Sequence, residues 1–115
     1  MQLMIIGFVL TPKAQIKTDS KFIKSSSAVA VLVAEHNTKE SWINIGRAYE
    51  RIALQATNLS IRHAFINQPI EVNSLRPQFD SWLGLKNESA LLMIRLGRSA
   101  SVPFSLRRPV DQVLM

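Results

Sequence analysis

Ser41–His63, SWINIGRAYERIALQATNLSIRH, is the longest unbroken helical pattern in the chain, and its reading decides the fold. Trp42, Ile45, Tyr49, Ile52, Ala56 and Leu59 recur at alternating steps of three and four. That spacing lines one face of an α-helix with apolar groups, and such a face has to be buried. Beside it runs a second line, Gly46, Ala53, Thr57 and Ser60, whose small side chains allow another backbone or a flat ligand to approach closely. The pattern therefore predicts a helix wanted on two sides. Asn37 followed by Glu40 has the spacing of a capping box, in which each side chain satisfies a backbone N–H at the helix start. The end is open, anywhere from Leu59 to Ala64. Ser60 stands where a glycine would make a clean stop, and no proline follows before Pro69.

Two strands flank this helix in sequence. AVAVLVAE, residues 28–35, is an uninterrupted run of small and β-branched apolar residues, which reads as an interior strand buried on both faces. ALLMIRLG, residues 90–97, is a second strand with Arg95 as its one charge, and residues 28–35 are its candidate neighbour. Between them, AFINQPIEVN (64–73) is broken by Asn67, Gln68 and Pro69 and predicts irregular backbone. LRPQFDSWLGL (75–85) predicts a shorter helix, with Ser74 as its cap, Pro77 in its first turn and Gly84 near its end.

The ends of the chain are less regular. MQLMIIGFVL, residues 1–10, fits either a short buried strand or the last turns of a helix. It lacks a basic n-region and is too short to span a bilayer, so no membrane partner is expected. TPKAQIKTDSKFIKSSS, residues 11–27, is polar and basic and reads as a surface connection. SASVPFSLRRPVDQVLM, residues 99–115, carries prolines around a basic pair and reads as an extended arm whose apolar terminus packs on something.

The chain has 115 residues, enough for one small domain, and its apolar fraction of 47% is that of a globular protein. A chain of this size buries a modest share of its surface, so a helix wanted on two sides suggests a partner subunit. Fourteen basic residues against eight acidic ones give a formal net charge of +6. The charges are dispersed and no nucleic-acid motif accompanies them, so no nucleic-acid partner is expected, whereas an anionic small ligand would suit the charge. Without cysteine there is no disulfide, thiolate nucleophile or cysteine-based zinc site, and the cytoplasm is the default location. His36 and His63 lack partners at metal-ligand spacing, so no metal site is expected. Neither a nucleophile elbow, a P-loop nor a dinucleotide-binding glycine motif is present, and the few carboxylates are scattered. No catalytic residue can be named. Arg107 and Arg108 are the strongest isolated hint, because a guanidinium fork suits phosphate.

Taken together, several of these segments resemble the C-terminal part of a nitroreductase-family flavoprotein, from about Ser27 to the end. The segments that carry the resemblance are AVAVLVAE, the W-x-x-x-G-R-A-Y-E-R-x-x-L-x-A-T run from Trp42 to Thr57, and NQPIEV at 67–72. LLMIRLG at 91–97 and PFSLRRPV at 103–110 complete it. Their order and spacing are similar to the divergent branch of that family with an NQP-x-EV segment and an RRPV ending. The resemblance implies an α+β fold with a mainly antiparallel sheet flanked by helices. It also implies a homodimer wrapped along the 41–63 helix, with FMN bound between the subunits. NADPH or NADH would be the electron donor, and a small nitroaromatic or quinone-like molecule the acceptor. Arg107 corresponds to the arginine that holds the FMN phosphate, with Arg108 beside it. A lysine common two residues earlier in the family is Ser105 here. Phe65, Ile66, Asn67 and Gln68 correspond to the loop that meets the flavin ring through main-chain groups. The family's N-terminal part, with its R-x-S-x-R-like phosphate clamp, is missing. The expectation is thus a single, partial domain over 1–115, with 1–27 as a leader and 28–115 as the family-like region. The alternative is a non-catalytic structural or anion-binding module that keeps the fold without the flavin.

Overall fold

A computed structural model describes residues 12–114, so the expectations for residues 1–10 and for the terminal Met115 lie outside the described residues. Helix α1 spans Pro12–Lys24, strand β1 Ala28–Ala34 and helix α2 Lys39–Asn58. Strand β2 follows at Arg62–Phe65, a four-residue helix α3 at Gln68–Glu71, helix α4 at Arg76–Trp82 and strand β3 at Ser89–Gly97. A 3-10 turn at Val110–Gln112 interrupts the C-terminal arm. The class is α+β, as expected, with a three-stranded antiparallel sheet in the order β1-β3-β2.

The last strand in sequence is the central one. β3 pairs with β1 from Ala28↔Leu96 to Ala34↔Ser89, with a register shift at Leu32/Val33, and with β2 from Arg62↔Gly97 to Phe65↔Ile94. Neighbouring residues of a strand point to opposite faces. Met93 and Ile94 are both buried, at 7% and 0% exposure, so both faces of β3 are covered. One side holds Ile66, Ile70, Ala90 and Met93 together with Val31 and with Phe79, Leu83 and Leu85 from the α4 region. The expectation of an interior strand at 28–35 is therefore corrected: among the described residues β1 lies at the sheet edge, and its Val29 and Val33 stay exposed. An apolar run reports which groups prefer to leave water, but strand order is set by distant pairing.

Helix α2 begins and ends differently from its sequence reading. Its N-cap is Thr38, whose hydroxyl accepts the Ser41 N–H at 3.2 Å. Asn37 instead accepts the indole N–H of Trp42 at 2.6 Å. The helix stops at Asn58, so His63 belongs to β2 and not to the helix. Its end is a Schellman motif: the Ile61 N–H reaches the Ala56 carbonyl at 2.8 Å and the Ser60 N–H the Thr57 carbonyl at 3.0 Å. Ser60 adopts the left-handed conformation at φ 56, so it does the work of the missing glycine. α4 ends with the same bonds, Leu85 to Asp80 and Gly84 to Ser81, and there Gly84 takes φ 76 as its sequence predicts. Its start has no side-chain cap: the N-cap position is Leu75, and Ser74 serves through its carbonyl, which accepts from Gln78.

Most of the stretch expected as a surface connection, residues 11–27, is instead the helix Pro12–Lys24, with Thr11 outside the described residues. Pro12 can stand in a first turn, and Lys21 and Lys24 lie in the last turn, where the helix dipole favours cations. The Ser25 and Ser26 hydroxyls then bond to the Phe22 carbonyl and close the helix. α1 shows no apolar stripe because its aromatic contact with the sheet is made by one residue: Phe22 lies under the Arg95 guanidinium, 4.6 Å from it.

The sheet is too small for the helix across it. Twenty residues make α2 about 30 Å long, whereas three strands are roughly 10 Å across. Ala56 is buried, Ile45 and Tyr49 are half-buried, and Trp42 and Leu59 remain exposed by about half. On the other faces Ile43 and Leu54 are exposed, and a Cβ added at Gly46 would meet nothing within 4 Å.

Candidate functional site

The six residues singled out in sequence fall on two separate segments. Phe65–Gln68 closes β2 and opens α3, whereas Arg107 and Arg108 lie on the arm that follows β3. The arm departs at the opposite end of β2 from the 65–68 segment, because Gly97 pairs with Arg62, and the Arg62 guanidinium donates to the Ser101 hydroxyl. One strand length, about 10 Å, separates the two starting points.

The first segment is held firmly. Ile66 is 4% exposed, and its N–H donates to the Met93 carbonyl at 3.0 Å. Asn67 then substitutes for a strand: its side-chain oxygen accepts the Met93 N–H at 2.8 Å, so β3 remains paired where β2 has ended. The Asn67 carbonyl accepts from Ile70 at 2.8 Å and Glu71 at 2.9 Å, starting α3 in the same residue. Gln68 accepts the Val72 N–H through its carbonyl, while its side-chain oxygen Oε1 is buried with no hydrogen-bond partner among the described residues. Since Ile66 bonds inward and antiparallel pairing alternates, the N–H and C=O of Phe65 face the outer edge of β2. The group of this segment open to a ligand is thus the Phe65 main chain, while the Gln68 carboxamide oxygen is unpartnered but buried and would have to turn outward to meet one.

The basic pair of the second segment is not held by the rest of the described residues. Neither Arg107 nor Arg108 has a polar partner among the described residues, and both are exposed. Phe104 and Leu106 on the same arm are 100% and 99% exposed. Pro103 and Pro109 fix their own backbone angles, and 98–109 forms no helix or strand.

The chemistry of the six residues fits FMN in part. A guanidinium pair without a carboxylate partner suits a phosphate, and an orphaned buried carboxamide oxygen suits a flavin ring N–H. One described chain does not gather them into a single cradle. Two clefts lie elsewhere. One, of about 420 Å³, is lined by Trp42, Ile45, Gly46, Ile70 and Leu92 with Glu71 and Arg76. The other lies along α1, beside Lys17, Lys21, Phe22 and Lys24.

The structure adds an aromatic cluster that the sequence reading did not single out. The Tyr49 hydroxyl lies 3.3 Å from His63 Nδ1, and the Tyr49 ring is 4.8 Å from that of Phe65. His63 and Phe65 alternate along β2, a period-two spacing that could have brought them out together. Among the described residues no group of His, Asp and Glu is placed to hold a metal ion. Glu88 has its carboxyl held below the usual range by backbone N–H groups of its own residue, Lys86 and Asn87, in the exposed turn before β3. None of the described helices is long and apolar enough to cross a membrane.

Compared with family models, curated proteins and solved structures, the chain finds no match. The reading of its function rests on its own residues.

Proposed function

We propose that this chain is an FMN-dependent NAD(P)H oxidoreductase of nitroreductase type, or the C-terminal portion of one, acting on nitroaromatic or quinone-like acceptors. The observation that carries the reading is the Arg107–Arg108 pair, which is exposed, has no polar partner among the described residues and is followed by Pro109 in the RRPV segment. Such a pair is available for a phosphate, and the net charge of +6 favours an anionic cofactor. Flavin, when bound, supplies the redox chemistry by accepting a hydride from the nicotinamide and releasing electrons to the acceptor. Arg107 would hold the phosphate with Arg108 beside it. Phe65 and Gln68 would present main-chain groups and a carboxamide oxygen to the ring. Ile66 and Asn67 would keep that segment in place.

The homodimer belongs to the same proposal. Exposed apolar residues on α2 and the open surface at Gly46 suit a second subunit. A cofactor between subunits would draw its arginines and its ring contacts from segments that one chain keeps apart.

A second reading is a non-catalytic structural or anion-binding module. It is favoured by the Asn67 side-chain oxygen, which is employed in the fold, and by the separation of the two segments.

Titration with FMN, followed by flavin fluorescence quenching, tests the reading on the whole chain and on Arg107→Ala, with light scattering to report the oligomeric state. Saturable binding by a dimer that weakens on substitution is the expected result. A folded dimer that leaves FMN fluorescence unchanged would favour the second reading.

A further inference from the structure

We propose that α1 is a docking element for the surface of an anionic lipid bilayer, lying flat on the headgroups without spanning the membrane. This goes beyond the flavin reading and does not depend on it. At 3.6 residues per turn, Lys13, Lys17, Lys21 and Lys24 fall within an arc of about 80° on the helix surface. Ile16 and Ile23 both border that stripe on one side, and the lysines and isoleucines together occupy about 160°. Phe22 lies on the far side of the helix, where it meets the Arg95 guanidinium. The contact that ties α1 to the sheet therefore turns the basic face outward.

All four lysines are exposed, and Ile16 and Ile23 are 65% and 38% exposed. Asp19 is the only acid on the helix and sits off the basic face, accepting a hydrogen bond from Gln15 at 2.7 Å. No carboxylate on α1 opposes the stripe. A flat cationic face with aliphatic side chains at its margin matches the interface of an anionic bilayer. Phosphates attract the ammonium groups, and the acyl boundary receives the isoleucines. A nucleic acid would satisfy only the charges, since the outward face presents no aromatic ring for base stacking and leaves Ile16 in water.

Vesicles of phosphatidylcholine alone, and of phosphatidylcholine with phosphatidylserine, test this by co-sedimentation of the whole chain. The expected result is binding to the serine-containing vesicles that falls as salt is raised, with little binding to the neutral ones. Lys17→Gln with Lys21→Gln should weaken it roughly thirtyfold, and Lys13→Gln with Lys24→Gln should act alike should the first pair fold poorly. Ile16→Ser keeps every charge and should still cost roughly tenfold. Circular dichroism checks that each variant is folded. The proposal is overturned by failure to bind anionic vesicles, or by binding that is indifferent to both lysine pairs. Binding to duplex DNA that is tighter than to vesicles and unchanged in Ile16→Ser would overturn it in favour of a nucleic-acid surface.

Discussion

The segment after β2 and the arm after β3 carry the candidate flavin residues, yet the chain treats them in opposite ways. At Ile66 and Asn67 nearly every group is already employed by the fold: one side chain buried, one carboxamide completing the sheet, one carbonyl starting a helix. At Arg107 and Arg108 neither guanidinium has a polar partner among the described residues. A residue kept for the fold and a residue kept for a ligand can look the same in sequence. They differ in what substitution does to the protein when no ligand is present, and seven variants exploit that difference.

The largest effect is expected at Ile66. Truncation to alanine removes most of a side chain that is 4% exposed and opens a cavity beside Met93 and Ile70, so Ile66→Ala should destabilise by about 2–5 kcal/mol. Urea denaturation followed by far-UV circular dichroism measures this. Against a typical domain stability of roughly 5–15 kcal/mol, the upper end would leave much of the protein unfolded. A loss well under 1 kcal/mol would mean that the segment is not locked and that the contrast between the two regions fails.

Asn67→Ala should come next, at about 1–3 kcal/mol, because the partly buried Met93 N–H loses its acceptor. Asn67→Asp retains an acceptor at the same place and should recover part of the loss. Hydrogen exchange at the Met93 amide offers a local readout, expected to speed up in the alanine variant more than in the aspartate one.

Ser60→Gly sharpens the comparison from the other direction, through the turn that delivers the chain into β2. A serine at φ 56 bears the steric cost of the left-handed region, and glycine removes it. A gain of about 1 kcal/mol is expected in thermal or urea unfolding. Gly84→Ala, at the matching position of α4, should lose a similar amount, and equal stabilities for the two turn variants would contradict the shared geometry.

The smallest effect on stability belongs to the arm. Arg107→Ala and Arg108→Ala should stay within about 0.5 kcal/mol of the parent, the range of surface changes that break no contact. Any loss of FMN affinity in these variants is then a loss of binding and not of folding.

Much of this architecture was legible beforehand, and the unreadable parts have a common cause. The long helix, the β3 strand and the Gly84 stop were all readable, since each depends on local periodicity or on one residue's backbone freedom. Ser60 was flagged as the residue standing where a glycine belongs, and it adopts the glycine's conformation. What could not be read depended on groups distant in sequence. β1 has the composition of an interior strand but sits at an edge because β3 takes the middle. α1 lacks an apolar stripe because its aromatic anchor meets a charged residue, Arg95, from the far end of the chain. In the candidate site, the bond from the Met93 N–H to the Asn67 side chain is not written in the NQP motif, because its donor lies 26 residues away. The unpaired state of Arg107 and Arg108 had no sequence signal, since a basic pair reads the same whether bridged or free.

Placing the last strand at the centre also sets the order of events as the chain folds. Ala28 waits for Leu96 and Arg62 waits for Gly97, so among the described residues neither β1 nor β2 has a ladder to join until residues 89–97 leave the ribosome. Until then α2 has no sheet to lie on. Closing such distant pairings makes for slower folding than a helical bundle of the same length. Throughout that interval two unpaired strands and an apolar helix stand open to neighbouring chains, and it is during this wait that the protein is most exposed to aggregation.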